Sequence, residues 1–161
     1  MSHVIQLAPP ESTPHENESP VPLVRTDAVH VVFTSIDDTL AAARVGHRIA
    51  TAMGVPLKVV HFRTVPYGLS VEHPAGVSPI ETDQFIEQLR HEGIDARARV
   101  YLCRHERRAI PMAFKCRSIV VVGGRHRRWP TAEARLRRHL EAAGHYVVFV
   151  DVCGHKETSR A

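Results

Sequence analysis

The feature that most constrains the fold is a short apolar run followed by two glycines and a group of cations. Residues 119–122 are all β-branched and apolar, with no polar interruption. A run of this kind is typical of a strand buried on both faces inside a parallel sheet. Gly123 and Gly124 end the run, and Arg125 opens the basic segment behind them. Because ligands of open α/β sheets bind beyond the carboxyl ends of the strands, the sequence predicts a site here.

Strand patterns and helix patterns alternate along the chain. Helices are expected to begin near residues 37, 78, 106 and 131. The third is expected to reach Cys116 despite Pro111, which is a misfit inside a helix. This alternation predicts an α/β fold: a doubly wound parallel sheet with helices on both faces. The five predicted strands are 29–35, 57–62, 94–102, 118–123 and 145–152.

The composition of the two ends differs from that of the middle. Residues 1–28 are rich in Pro, Glu, Ser and Thr, which predicts a flexible tail. One domain is therefore expected at 29–152, with a C-terminal tail at 153–161. No apolar run of 18 residues and no basic-then-apolar leader occurs, so neither a membrane span nor a secretory signal is expected. Three widely spaced cysteines favour a reducing, cytoplasmic location.

Positive charge is concentrated in one half of the chain. Thirteen of the 21 Lys and Arg residues lie within 97–139, which holds only two acids. Arg125, Arg127 and Arg128 form the densest group and predict contact with an acidic protein, phosphate or nucleic acid. The alternative is a solvated basic face without a partner. Trp129 either stacks on a base or packs under the last helix.

Other chemistry is weakly signalled. The sequence has twelve histidines, but their spacing does not match the paired ligands of a zinc site, so no metal is expected. Ser35, Asp37 and His61 could approach one another at strand ends, yet they match no known catalytic arrangement. Ser35 and Asp37 are better interpreted as capping residues of the first helix. No enzymatic activity is expected.

Several segments together resemble the universal stress protein family. These are 31–39 with the alanine-rich continuation to Gly54, the segment 56–66, the segment 117–124, and the final strand. The resemblance covers about 29–152. It implies a five-stranded parallel sheet in the order 3-2-1-4-5, as in adenine nucleotide alpha hydrolase-like folds. The ligand crevice would then lie between the first and fourth strands.

Many members of that family bind ATP through a Gly-x2-Gly-x9-Gly-Ser or Gly-Thr segment after the fourth strand. Gly123 matches its first glycine, but His126 stands at the second. Glu133 and Ala134 fall where the final pair belongs, and Asp38 replaces a glycine of the first turn. The expectation is therefore a degenerate ATP site and no cofactor.

The resemblance carries few residues over to an anion or nucleotide crevice. They are Asp37, Thr39 and Gly123, to which Gly124 and Arg125 are added because they follow the same strand. Three functions stay open. The first is a small cytoplasmic binding or regulatory protein without catalysis. The second is an ATP- or AMP-binding protein with a rearranged phosphate loop. The third is a binder of nucleic acid or of an acidic protein through the 97–139 surface.

The last strand predicts a homodimer. In the order 3-2-1-4-5 it lies at a sheet edge and carries no Lys, Pro or glycine, so it can template pairing with a second chain. The other edge is protected by Asp95, Arg97 and Arg99. Family members often dimerise through this strand, which points the same way. The residues expected at the interface are Tyr146, Val147, Val148, Phe149 and Val150.

Overall fold

The computed structural model describes residues 26–68, 80–125 and 131–152. They form one parallel sheet in the order β3-β2-β1-β4-β5, which confirms the predicted fold class and strand order. The elements in chain order are β1 Val29–Val32, α1 Ile36–Met53, β2 Leu57–Thr64, α2 Ile80–His91, β3 Ala96–Cys103, α3 Glu106–Ala113, β4 Ile119–Gly124, α4 Ala132–Ala142 and β5 Tyr146–Asp151.

Helix α1 is defined at both ends by its sequence. The Ser35 side chain caps the helix by accepting a hydrogen bond from the Asp38 amide at 3.2 Å. Gly54 ends the helix in the left-handed conformation with φ of 66°, where glycine carries no Cβ penalty. Strand β1 was predicted to reach Ser35 but ends at Val32, because Ser35 caps α1.

The helices cover the sheet in two pairs. Helices α1 and α2 pack on one face, and α3 and α4 pack on the other. The first core contains Val29, Val31, Val59, Phe85, Leu89 and Val121, and the second contains Val32, Val60, Ile110, Phe114, Val122 and Leu140. Residues of β1 and β4 contribute to both cores, as expected of central strands buried on two faces.

Helix α3 is shorter than the sequence predicts. It spans eight residues and ends at Ala113, because Phe114 is extended with φ of −124° and its ring joins the second core. Pro111 lies within its last turn. The segment after Phe114 then returns to β4 through Arg117, which adopts a positive φ of 56°.

The described residues include the end of the predicted N-terminal tail. Ala28 is fully buried, and the Asp27 carboxylate pairs with the Lys115 ammonium at 2.7 Å. Residues 1–25 and 153–161 lie outside the described residues. In the part of the chain that the structure describes, no helix has the length and apolarity to cross a membrane.

Candidate functional site

The carboxyl ends of β1 and β4 meet the start of α1. The Thr34 hydroxyl donates to the Gly123 carbonyl at 3.2 Å, and the Thr34 amide donates to the Thr39 hydroxyl at 3.0 Å. The Thr39 hydroxyl in turn donates to the Ser35 carbonyl at 2.5 Å. Thr39 is fully buried. This predicted binding residue therefore serves to fix the first turn of α1, and its hydroxyl is engaged within the chain.

Gly123 and Gly124 are required by packing at this edge. A Cβ on Gly123 would lie 1.9 Å from the Asp38 carbonyl oxygen, so α1 sits directly on the strand. A Cβ on Gly124 would lie 2.9 Å from the Cβ of Glu133 and 3.0 Å from the Phe149 ring. The glycines allow the helices to approach the strand closely. The protein itself fills the space that these two residues leave.

Two neighbouring aspartates of α1 have different surroundings. Asp37, a predicted site residue, is exposed on the first turn. Asp38 is buried, and its Oδ1 has no hydrogen-bond partner among the described residues. The Nε of Arg125 lies 4.0 Å from that oxygen, and the Arg125 side chain is half exposed. The structure therefore brings Asp38, rather than Asp37, to the end of β4.

A second pair of carboxylates lies beside the same edge. Glu106, from the first turn of α3, and Glu133, from the first turn of α4, line a cavity of about 190 Å³ with Thr34. Burial and the charge of Glu133 raise the pKa of Glu106 above its usual value. Glu133 was predicted from the sequence to lie near this edge, and Glu106 was not. We call Thr34, Asp38, Gly123, Arg125 and these two glutamates the carboxyl-edge crevice.

A cavity of about 410 Å³ continues from this crevice along α3 and α4. It shares Glu106 with the first cavity, and cationic side chains lie on its wall. The cations and histidines are Arg104, His105, Arg107, Arg135 and His139. Carboxylates therefore face the strand ends, and guanidinium groups lie farther out along the helices.

The N-terminus of α4 is closed by its own cap. Thr131 accepts a hydrogen bond from the Ala134 amide at 3.2 Å, and Glu133 adds a carboxylate to the first turn. Both interactions stabilise the positive end of the helix. The position at which a helix N-terminus commonly holds a phosphate is therefore occupied here by groups of the chain itself.

The structure gives separate roles to the residues of the weak catalytic hypothesis. Ser35 caps α1, which confirms its interpretation as a cap. The His61 Nδ1 lies 2.9 Å from the Thr82 hydroxyl, and its ring packs 4.5 Å from that of Phe33. Within the described ranges, no group of three or more potential metal ligands occurs. Of the predicted basic loop, His126, Arg127, Arg128 and Trp129 lie outside the described residues.

Comparison with solved structures supports the fold. A universal stress protein from Archaeoglobus fulgidus is similar to this chain with a TM-score of 0.56 and 20% identity, over 78% of this chain and 94% of that one. A universal stress family protein from Burkholderia pseudomallei matches with a TM-score of 0.43 and 15% identity, over 77% of this chain and 96% of its own. A universal stress protein in complex with cAMP matches at 0.48 and 14%, over 80% and 100%.

Neither a protein-family model nor a curated protein matches the sequence. The resemblance predicted from sequence is thus supported at the level of the fold. The sheet order and the paired helix layers are those expected of a universal stress protein architecture.

Proposed function

We propose that this protein is a non-catalytic binding or regulatory protein of universal stress type, whose carboxyl-edge crevice does not bind ATP. The observation that carries the proposal is the pair of carboxylates, Glu106 and Glu133, on the wall of the cavity beside β1 and β4. A triphosphate placed there would meet two negative charges. At about 4 Å, each such repulsion costs about 1 kcal/mol in water and several times more in a partly buried site.

Two further features support the exclusion of a triphosphate. The strand end at Gly123 is covered by the Asp38 carbonyl, so its backbone is closely approached by the chain rather than by a ligand. The Thr131 side chain already accepts from the Ala134 amide at the start of α4. A phosphate would have to displace that contact before it could use the helix N-terminus.

We propose that the protein is not a catalyst because its candidate nucleophile and base are both engaged in other contacts. Nucleophilic catalysis needs a nucleophile within hydrogen-bond reach of a base. At the described edge, the Ser35 hydroxyl is held by the α1 amide, and the His61 ring is engaged with Thr82. These contacts favour structural roles for both side chains.

Calorimetric titration with Mg-ATP tests this proposal. We expect the native protein to show no saturable heat up to about 1 mM ligand. The double variant Glu106→Gln/Glu133→Gln removes both charges at nearly constant volume and is expected to bind more tightly than the native protein. Glu141→Gln, on the same helix as Glu133, is the matched control and should change nothing. Saturable binding by the native protein at micromolar ligand would contradict the proposal.

A second candidate function is contact with a polyanion or an acidic protein. Arg107 and Arg108 of α3 and Arg135 and Arg138 of α4 are all exposed, and these two helices are neighbours. Together with Arg125 they belong to the predicted basic surface at 97–139. Arg127 and Arg128 of the same segment lie outside the described residues.

Retention on heparin tests this second candidate. Because released counterions dominate such binding, retention should fall steeply as salt increases. Arg107→Glu/Arg135→Glu should weaken it, and so should Arg127→Glu/Arg128→Glu. Arg48→Glu, an exposed position on the opposite face of the sheet, is the control. Equal retention of all four proteins would exclude this surface.

We further propose a homodimer through β5. In the described sheet β5 pairs only with β4, and Tyr146 is 40% exposed. The amides of Tyr146 and Val152 donate to carbonyls of the β4 side. Since successive amides of a strand alternate in direction, those of Val147 and Phe149 point away from β4. Two copies related by a two-fold axis can pair through these outward groups.

Light scattering tests this assembly. Val147→Pro removes an outward amide and leaves the hydrogen bonds to β4 in place, so it should yield a folded monomer. Val148→Pro removes an inward amide and should instead destabilise the fold. A native protein that is monomeric at tens of micromolar, or a Val147→Pro variant that is still dimeric, would contradict the interface.

A further inference from the structure

The shortness of α3 leaves part of the sheet uncovered at the opposite end from the crevice. Helix α3 spans eight residues, whereas α1 on the other face spans 18. Between the segment 111–116 and the amino-terminal halves of β1, β2 and β3 lies a cavity of about 840 Å³. We call it the basic cavity. Its polar lining includes His30, Lys58, Arg97, Arg99 and Lys115.

The cations of this cavity are held side by side by the sheet. Lys58 and Arg97 are register partners on the parallel strands β2 and β3. Such partners lie about 4.8 Å apart, and like charges placed opposite one another are destabilising. Arg99 extends from β3 one pleat farther along, and Lys115 lies across the cavity. The fold thus concentrates positive charge at a cost that a bound anion would offset.

Little negative charge compensates these cations within the described ranges. The Lys115 ammonium pairs with the Asp27 carboxylate at 2.7 Å. Lys58, Arg97 and Arg99 have no carboxylate of a described residue within 4.0 Å. Asp27, already paired with Lys115, is the one acid in the described lining of the basic cavity. A groove of about 940 Å³ between α2 and β3 instead has Asp83 and Glu87 beside Arg90 and Arg97. The basic cavity is therefore distinguished by its excess of positive charge.

The innermost wall of the cavity is polar but uncharged. His30 is the register partner of Lys58 on β1 and is only 6% exposed. Burial, followed by the charge of Lys58, lowers the pKa of His30 to about 4, so the ring is neutral at pH 7. Its Nδ1 is buried without a hydrogen-bond partner among the described residues.

Aromatic rings form the apolar part of the lining. The ring of Phe114 stands edge-on to that of His30, with 5.2 Å between the centroids. Phe62 lies 5.9 Å from Phe114 and 6.0 Å from Tyr101, so the rings continue toward β3. Phe114 and Tyr101 both face the cavity. Flat apolar surface is thus placed beside guanidinium and ammonium groups.

We propose that the basic cavity binds a small organic anion, one that carries a phosphate or carboxylate on a flat apolar body. Arg97, Arg99 and Lys58 receive the anionic group through charge-assisted hydrogen bonds. Phe114 and Tyr101 contact the flat body. The site lies at the amino ends of the strands, away from the carboxyl-edge crevice, and it does not depend on the function proposed for that crevice.

Calorimetry with phenyl phosphate tests the proposal in the full-length protein. We expect saturable binding that is tighter than that of inorganic phosphate, and no binding of the neutral benzyl alcohol. Arg97→Met/Arg99→Met should weaken phenyl phosphate by about tenfold or more, since each lost contact is charge-assisted. Arg44→Met/Arg48→Met removes two exposed cations of α1, on the other face of the sheet, and should leave affinity unchanged.

Cys116 offers an independent reporter of location. It is exposed and lines the cavity, whereas Cys103 is buried and burial raises the pKa of its thiol. In a Cys153→Ser background, phenyl phosphate should slow the alkylation of Cys116 by iodoacetamide at the same concentrations that give half-saturation by calorimetry. Three results would each overturn the proposal: no saturable binding up to about 10 mM, equal affinity in Arg97→Met/Arg99→Met, or alkylation unaffected by the ligand.

Discussion

The two ends of the sheet differ in how tightly they are closed and in the charge they present. At the carboxyl end, α1 and α4 pack directly on Gly123 and Gly124, and Glu106 and Glu133 face the remaining space. At the amino end, α3 stops early and leaves the basic cavity. Open α/β folds usually place ligands at the carboxyl end. Here the lining charges favour an anion at the other end, which shows that the fold sets where openings form and side chains set what they accept.

The largest expected effect on stability comes from adding a side chain at Gly123, at the carboxyl edge of the sheet. Gly123→Ala would place a Cβ 1.9 Å from the Asp38 carbonyl oxygen, a backbone atom that cannot move away without shifting α1. We expect a loss of at least about 3 kcal/mol in the free energy of unfolding, or no folded protein, by urea denaturation.

Gly144→Ala is the control for this substitution. Gly144 has φ of 85° and no atom within 4 Å of an added Cβ, so only backbone strain of about 1 kcal/mol is expected. If Gly123→Ala costs no more than Gly144→Ala, the carboxyl edge has room for a side chain and the two ends of the sheet are closed to a similar degree.

The pH dependence of stability tests the burial of His30 beside Lys58 at the amino end. The pKa of His30 is about 4 in the folded protein and has its ordinary value of 6.5 when unfolded. Because the folded pKa is depressed, the stability linked to His30 is present above about pH 6.5 and is lost as the pH falls toward 4. The total loss is at most about 3 kcal/mol.

His30→Phe isolates this contribution. Urea denaturation at several pH values should show a flatter dependence between pH 6.5 and 4 in the variant than in the native protein. Burial also lowers the pKa of His145, so this residue too makes the protein less stable as the pH falls. That part of the pH dependence should remain in the variant. Identical pH profiles for the native protein and His30→Phe would show that His30 is protonated as easily folded as unfolded.

A smaller effect is expected for the carboxylates of the crevice. Burial and Glu133 raise the pKa of Glu106, so the stability linked to this group is present at low pH and decreases as the pH rises through its folded pKa. An NMR titration of the Glu106 carboxyl should show this raised pKa, and Glu133→Gln should lower it. Glu141→Gln should leave it unchanged. If Glu133→Gln leaves the pKa of Glu106 unchanged, the charge of Glu133 does not act on Glu106.

Most of the fold could be predicted because its signals are local. The β-branched run at 119–122, the cap at Ser35 and the end of α1 at Gly54 each depend on a few neighbouring residues. The third strand was also predicted to lie at a sheet edge protected by charged residues, and β3 is an edge strand on which Arg97 and Arg99 are exposed.

The candidate sites depend on contacts between distant segments, and the sequence indicated them only in part. Gly123 and Arg125 were correctly placed at the end of β4, but Asp38 rather than Asp37 faces them, because the first turn of α1 leaves Asp37 exposed and buries Asp38. Glu106 was missed because its approach to Glu133 follows from the packing of α3 against α4. The basic cavity was missed because it requires the register of Lys58 with Arg97.

The most direct test of the contrast between the two ends is a map of backbone amide shifts during titration with phenyl phosphate. We expect the largest ¹H–¹⁵N shifts at Lys58, Arg97, Arg99 and Cys116, around the basic cavity. Amides of Thr34, Gly123, Gly124 and Arg125 should shift little. The opposite result, with the largest shifts in the second group and none in the first, would place anion binding at the carboxyl-edge crevice and refute the proposed contrast.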